Sequence, residues 1–181
     1  GMARSDPSTR ARKRILNDDE LRLLWSAAEK SGSFGAFVRL LLLTGQRRAK
    51  VATMRWEDLA NSVWTIPAEA REKTNAGSLK LPQLALDIID SITPMSGNPH
   101  IFPGRGKAAV AGFSPLKVEL DKKMTQANGG KAVERWTLHD LRRTAKSLMS
   151  RAGVLPHVSE RVLGHAIQGV EGVYQRHDWT A

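Results

Sequence analysis

The chain has 181 residues, enough for one domain with a substantial core and too few for two comfortable domains. Its 28 Lys and Arg residues outnumber its 18 Asp and Glu residues, and the formal net charge of +10 points to a polyanionic partner, with nucleic acid as the first candidate. The absence of cysteine excludes a disulfide framework, a thiolate metal site and cysteine redox chemistry, and it suits a reducing compartment.

The sequence carries no signal for a membrane or for export. Its longest purely aliphatic run, residues 40–43, is far shorter than the roughly 20 residues of a membrane span, and its N-terminus has no apolar signal region. We therefore expect a cytoplasmic protein that does not contact membranes. General solubility charge is the alternative explanation of the basic composition.

The first part of the chain predicts a basic arm followed by helices. Residues 1–16 are polar and basic without apolar periodicity, which is typical of a linker, of an arm that lies along phosphates, or of ordinary disorder. A capping box at 17–20 predicts a helix over 18–30. A second helix over 34–43 ends before Gly45, the residue best suited to a left-handed cap.

A third helix is predicted directly after that glycine, with Met54 and Arg55 in its later turns. The pattern then changes, because residues 63–66 indicate a strand, 75–77 a turn and 79–81 a returning strand. These segments predict a small antiparallel sheet in a helical protein.

Helical patterns resume after the sheet. Cap residues and apolar spacing predict further helices over about 82–92 and 115–126, from the capping box Thr137–Asp140 to about 152, from Pro156 to just before Gly164, and in a last short segment that carries Tyr174. The chain contains no internal repeat.

The stretch TLHDLRRTA places two chemically active side chains on one helix face. His139 and Arg142 are three residues apart, close to the helix N-terminus. Free backbone N–H groups and partial positive charge favour anions at that end, and the planar fork of an arginine matches two phosphate oxygens. A solvated surface helix is the alternative interpretation.

Other charged side chains are also predicted to lie at helix ends or beside a turn. Arg47 and Arg48 in TGQRR lie in the first turn after a glycine, again at a helix start, and Lys73 lies beside the hairpin turn. His165 comes directly after a glycine that ends a helix, and Tyr174, the single tyrosine of the chain, follows nine residues later. Each of these features taken alone is more often structural than catalytic.

Their order along the chain is specific. The succession of G-x-R-R, a hairpin lysine, H-x-x-R, L-G-H and a tyrosine nine residues on resembles the catalytic domain of the tyrosine recombinases, the bacteriophage integrase family. The resemblance covers roughly residues 15 to 178, and the stretches WTLHDLRRTA and VYQRHD are most similar to prophage-type integrases. It implies a fold that is mostly α with a small antiparallel three-stranded β-sheet.

The resemblance also implies a role for each residue. Arg47 and Arg142 bind the nonbridging oxygens of the scissile phosphate, His165 adds a hydrogen bond, and Tyr174 is the nucleophile that forms a 3′-phosphotyrosyl bond. The remaining two residues move protons. His139 assists transfer at the attacking or departing oxygen, and Lys73 protonates the 5′-hydroxyl leaving group. The reaction requires no metal, no cofactor and no ATP.

Two departures from the family pattern modify this expectation. Where the family usually has an acidic residue three positions after the first arginine, the chain has Lys50, so Arg47 is expected to have less support and more repulsion. The expected domains are a basic arm over 1–16 and a catalytic domain over 17–181, with the N-terminal core-binding domain of the family outside this chain.

The expected partner is double-stranded DNA, in the bacterial or phage-associated setting of the cytoplasm and nucleoid. By resemblance, the full-length protein forms a tetramer on DNA for integration and recombination, and the isolated domain is a monomer that binds DNA weakly. Lys117, Lys122 and Lys123 on the helix over 115–126 are candidates to face a DNA groove, and a solvated helix face is the alternative.

Three other functions fit parts of the pattern. A type IB topoisomerase uses a similar set of residues for strand relaxation, and a catalytically silent DNA-binding module retains only the basic face. A metal nuclease built from His139, Asp140 and His165 lacks a carboxylate cluster or the H-E-x-x-H spacing.

Overall fold

The computed structural model describes residues 14–68 and 77–164 of the chain. In these residues the helices are α1 (Asp18–Glu29), α2 (Gly32–Thr44), α3 (Arg48–Ala52), α4 (Gln83–Asp90), α5 (Phe113–Ala127), α6 (Leu138–Arg151) and α7 (Pro156–Val162). The strands are β1 (Leu59–Ala60), β2 (Val63–Ile66) and β3 (Gly77–Lys80). The mostly helical class with a small antiparallel three-stranded sheet is thereby confirmed. Residues 75 and 76 of the predicted turn at 75–77, and the predicted helix with Tyr174, lie outside the described residues, and Gly77 is the first residue of β3.

None of the helices in the described ranges combines the length and the apolar character that a membrane span requires.

The capping box before α1 is formed as predicted. Asn17 Oδ1 accepts a hydrogen bond from the Glu20 backbone at 2.9 Å, and Glu20 Oε2 accepts one from the Asn17 backbone at 2.9 Å. The chain just before this cap already packs against the rest of the fold. Leu16 is buried, and its backbone N–H donates to Thr144 Oγ1 in α6 at 3.0 Å. The start of α1 is therefore fixed both by its own cap and by a distant helix.

Helix α2 lies at the centre of the core. It packs against α1, α4 and α6, and its buried Phe37 contacts the rings of Phe102 and Phe113, each at a centroid distance of 5.3 Å. Helix α1 crosses α2 so closely that a Cβ at Gly35 would lie 1.8 Å from the Ala28 carbonyl oxygen. A side chain at this position is incompatible with the packing of the two helices.

Helix α3 is shorter than the sequence predicted. It ends at Ala52, so Met54 and Arg55 lie beyond it, and the prediction that they belong to its later turns is wrong. The reason is local, because the Asp58 carboxylate accepts a hydrogen bond from the Arg55 backbone at 2.9 Å and starts a separate 3-10 turn over Trp56–Asp58. An alternative partner for the backbone thus stops the helix.

The sheet has the order β1-β2-β3, and all its pairs are antiparallel. Strand β1 has two residues and was not predicted from the sequence. Asn61 and Ser62, with φ values of 50° and 64°, form the two-residue turn that joins β1 to β2, in the backbone conformation that tight hairpins favour. Trp64 in β2 is 1% exposed and anchors the sheet to the core.

Gly45 provides a test of how the helices meet. It is the left-handed C-cap of α2 with φ 62°, and a Cβ on it would lie 2.8 Å from Leu163 Cδ2 beyond α7. Gly45→Ala should therefore lower the free energy of unfolding by about 2–4 kcal/mol, as backbone strain and overpacking add. Denaturant unfolding monitored by tryptophan fluorescence measures the loss.

The matched control is Gly129→Ala. Gly129 has a similar φ of 64°, but a Cβ there would meet no atom within 4 Å. It should lose only about 1 kcal/mol from the backbone conformation. Equal losses at the two glycines would contradict the close approach of Leu163 to α2.

Candidate active site

The N-terminus of α6 is fixed by the predicted capping box. Asp140 is fully buried, and its Oδ2 accepts hydrogen bonds from the Thr137 backbone and hydroxyl, each at 2.8 Å. Its Oδ1 accepts one from Arg143 Nη1 at 2.6 Å. Both carboxylate oxygens thus accept hydrogen bonds from groups of the helix and its cap. In the described part of the chain no group of three or more metal-ligating side chains is found.

Arg142 joins three helices at one point. Its guanidinium is buried, and it donates from Nη1 to the Gly45 carbonyl and from Nη2 to the Leu163 carbonyl, each at 2.6 Å. Gly45 and Leu163 are the C-caps of α2 and α7. Helix C-termini present unpaired carbonyl oxygens and partial negative charge, so they are suitable partners for a buried cation. Arg142 is consequently held in place from two sides.

Gln46 supports the same junction and was not predicted from the sequence. It is 2% exposed, and its Nε2 donates to the carbonyl of Val162 in the last turn of α7 at 2.5 Å. The neighbouring Thr44 hydroxyl accepts from the Gln46 backbone at 3.3 Å. The partner of the Gln46 side chain is 116 residues away, so no local pattern reveals its role.

Arg47 lies next to Arg142. It is the half-buried N-cap of α3, and repulsion from its positive charge is one cause that lowers the pKa of Arg142. Burial is the larger cause, attraction to Glu160 opposes both, and the pKa of Arg142 falls to about 10. Arg142 is therefore still positively charged at neutral pH, and the two arginines form a pair of like charges.

His139 is the third member of the cluster. It lies at the surface in the first turn of α6, where partial burial, followed by repulsion from Arg143, Arg142 and Arg47, lowers its pKa below the ordinary value of 6.5. The nearby Asp140 carboxylate opposes this shift. The imidazole is neutral at neutral pH and is able to accept a proton.

Three of the six predicted site residues are thus brought together, namely Arg47, His139 and Arg142. The other three, Lys73, His165 and Tyr174, lie outside the described residues. Along the sequence, Lys73 lies between β2 and β3, and His165 directly follows Gly164.

The three lysines of α5 are already occupied within the protein. Lys117 Nζ lies 3.6 Å from the centre of the Trp136 ring and 2.6 Å from Asp121. Lys122 contacts Glu119 at 2.7 Å, and Lys123 donates to the Lys30 carbonyl at the end of α1. The groove-facing role of the three lysines stays a prediction.

Comparison with known sequences shows the family of the chain. The sequence profile of the phage integrase family matches residues 14–179. The chain belongs to the phage integrase family. Prophage integrase IntZ of Escherichia coli strain K12 is 28% identical over 163 residues, 87% of this chain and 39% of that protein. Prophage integrase IntA of the same strain is 31% identical over 144 residues, 76% of this chain and 33% of that protein. The chain spans well under half the length of these two relatives.

Solved structures share the fold of this phage integrase family member. The Tn1549 transposon integrase, in complex with circular intermediate DNA, has a TM-score of 0.70 at 16% identity, over 96% of this chain and 64% of that chain. XerA recombinase has a TM-score of 0.67 at 19% identity, over 94% and 67%. A lambda integrase dimer bound to a COC′ core site has a TM-score of 0.65 at 16% identity, over 97% and 64%.

The bridging role of Arg142 generates a prediction. In Arg142→Lys a single ammonium replaces the fork and cannot reach both the Gly45 and Leu163 carbonyls, so one buried carbonyl loses its charged donor. We expect the free energy of unfolding to fall by about 1.5–3 kcal/mol. Denaturant unfolding measures the change. The control, Arg151→Lys on the same helix, alters an exposed ion pair with Asp18 and should cost less than about 1 kcal/mol. A neutral Arg142→Lys would contradict the bridge.

Proposed function

We propose that this chain is the catalytic domain of a site-specific DNA recombinase, an integrase that breaks and rejoins strands through a 3′-phosphotyrosyl intermediate. The observation that carries the proposal is the cluster of Arg47, His139 and Arg142 at the N-terminus of α6. Membership of the phage integrase family supports the same reaction.

The two arginines bind the nonbridging oxygens of the scissile phosphate. Their mutual repulsion is unfavourable in the free protein, and the attraction of each guanidinium to a phosphodiester between them outweighs it. The carbonyls of Gly45 and Leu163 hold Arg142 in orientation before DNA arrives. Removal of one such donor from a site of this kind commonly costs about 100- to 1,000-fold in rate.

The chemical step is a displacement at phosphorus. The Tyr174 phenol, with an ordinary pKa near 10, loses its proton as its oxygen attacks, and the neutral His139 assists that transfer. The bond from phosphorus to the 5′ oxygen breaks, Lys73 supplies the proton to that oxygen, and His165 donates a hydrogen bond to the phosphate. The energy of the phosphodiester is kept in the 3′-phosphotyrosyl bond, so a second DNA hydroxyl reseals the strand without ATP.

The partner is double-stranded DNA, and the net charge of +10 provides the long-range attraction to phosphates. The Tn1549 and lambda integrases were solved with DNA, which supports the same partner here. We further propose that a longer protein containing this domain acts as a tetramer on DNA at the bacterial nucleoid, whereas the domain alone is a monomer.

The test is whether the chain becomes covalently linked to DNA. Wild-type protein and Tyr174→Phe are incubated with supercoiled plasmid in EDTA, quenched with detergent and examined for protein-linked nicks. The proposal predicts nicks that persist in EDTA with wild-type protein and disappear in Tyr174→Phe, because the variant lacks only the attacking oxygen. Nicks that need a metal, or that persist in the variant, would contradict it. DNA binding without any covalent product would favour a silent DNA-binding module.

A further inference from the structure

Lys50 carries a buried charge directly beside the candidate site. The residue is 3% exposed, and its Nζ donates to the Pro67 carbonyl at 2.9 Å. Burying an ammonium is costly unless the group is well paired, so its location calls for a physical reason. The sequence predicted that a lysine here would give Arg47 less support than an acidic residue. The structure instead gives Lys50 a contact of its own.

The contact ties α3 to the sheet. Pro67 directly follows β2, and the ladder between β2 and β3 ends at the pair Ile66–Gly77, so the Pro67 carbonyl lies just past the last paired residue. Lys50 reaches this carbonyl from the middle of α3. The hydrogen bond therefore joins the helix that follows Arg47 to the end of the central strand.

Arg47 depends on the position of α3. It is the N-cap of that helix, its side chain makes no capping hydrogen bond, and its carbonyl accepts from the Val51 backbone at 3.2 Å. A five-residue helix has too few internal hydrogen bonds to hold itself in place. Contacts made by the side chains of α3 must therefore fix where Arg47 lies.

The electrostatics of the cluster favour such a contact. Burial is the largest cause of the lowered pKa values of Arg142 and His139, and repulsion from Arg47 is a smaller cause in both groups. Arg142 is held by two carbonyls, but repulsion tends to move α3 and Arg47 away from it. A site that must be ready for a phosphate requires an opposing restraint on α3.

We propose that Lys50 is this restraint, a positioning residue that acts through α3 to hold Arg47 beside Arg142. The inference rests on the proposed function in so far as it concerns the rate of DNA cleavage. It also implies that an acidic residue cannot replace Lys50, because the carboxylate of Lys50→Glu would face the Pro67 carbonyl oxygen and has no proton to donate to it.

The surroundings of Lys50 allow a conservative rescue. Lys50, Pro67 and His100 line a cavity of about 600 Å³, so an arginine has room to reach the same carbonyl. Methionine matches the lysine stem and lacks the donor. Lys50→Met, Lys50→Arg and Lys50→Glu therefore separate the hydrogen bond from the packing of the side chain.

The kinetic test uses the 181-residue chain with supercoiled plasmid in excess, and it follows formation of the covalent product in a single turnover. In Lys50→Met the rate constant should fall about 10- to 100-fold while the affinity for plasmid is kept, because a misplacement of about 1 Å has an effect of this size. Lys50→Arg should recover most of the rate and Lys50→Glu should not. Lys131→Met, at an exposed position after α5, is the control.

A purely structural role gives a different result. If Lys50 only stabilises the fold, Lys50→Met lowers the amplitude of the reaction through the folded fraction and leaves its rate constant unchanged. Coupling to Arg47 is measured by a double-mutant cycle with Arg47→Lys. The proposal predicts that Lys50→Met slows the Arg47→Lys enzyme by much less than it slows the wild type, and equal effects in both backgrounds would overturn it.

Hydrogen exchange tests the restraint without any activity. The Val51 amide, which bonds to the Arg47 carbonyl, should exchange faster in Lys50→Met and regain protection in Lys50→Arg, whereas the Gly45 amide, bonded to the Leu41 carbonyl in α2, should not change. A uniform increase at both amides would overturn the proposal. If the wild type forms no covalent product, the proposed function fails, while exchange at Val51 still decides whether Lys50 holds α3.

Discussion

The buried guanidinium of Arg142 is the interaction on which the rest of the site depends. It donates hydrogen bonds to two carbonyl oxygens, one from the C-cap of α2 and one from the C-cap of α7, and thereby fixes both helix ends to α6. Each helix end presents partial negative charge, and each would otherwise leave carbonyl oxygens unpaired in a buried place. The left-handed glycine at the end of α2 leaves room for the close approach of Leu163.

The same arrangement places positively charged groups close together in the free protein, where they repel one another. Burial is the largest cause of the lowered pKa of Arg142 and of His139, and repulsion from neighbouring arginines, Arg47 among them, adds to it. In the proposed function, rigid supports are needed because this repulsion acts against the geometry that would bind a phosphate. The carbonyl bonds of Arg142, the Gln46 contact with α7 and the Lys50 contact with Pro67 all serve this requirement. The buried Lys50 ammonium donates to the Pro67 carbonyl at the end of β2.

Local patterns in the sequence predicted the parts of the fold that depend on neighbouring residues. The capping boxes at Asn17 and Thr137 and the left-handed cap at Gly45 lie where the pattern placed them, because each is formed within a few residues. The early end of α3 and the two-residue strand β1 were not predicted, since a single carboxylate and a tight turn decide them. Arg142 binds carbonyls 97 and 21 residues away, and no local spacing shows such partners. The sequence predicted Arg47, His139 and Arg142 as site residues. It did not predict the backbone carbonyls and side chains that hold them in place.

The central claim, that Arg47 shares one electrostatic field with His139 and Arg142, is tested most directly by NMR titration of the His139 ring. The signal is assigned among the five histidines with His139→Gln. The titration is repeated in Arg47→Met and in the control Arg48→Met. The Arg48 guanidinium, which the control removes, lies 4.8 Å from the centre of the Phe113 ring. The account predicts a pKa below 6.5 in the wild type, an upward shift in Arg47→Met, where one repelling charge is removed, and a smaller shift or none in Arg48→Met. A pKa at or above 6.5 that does not respond to Arg47→Met would contradict the account.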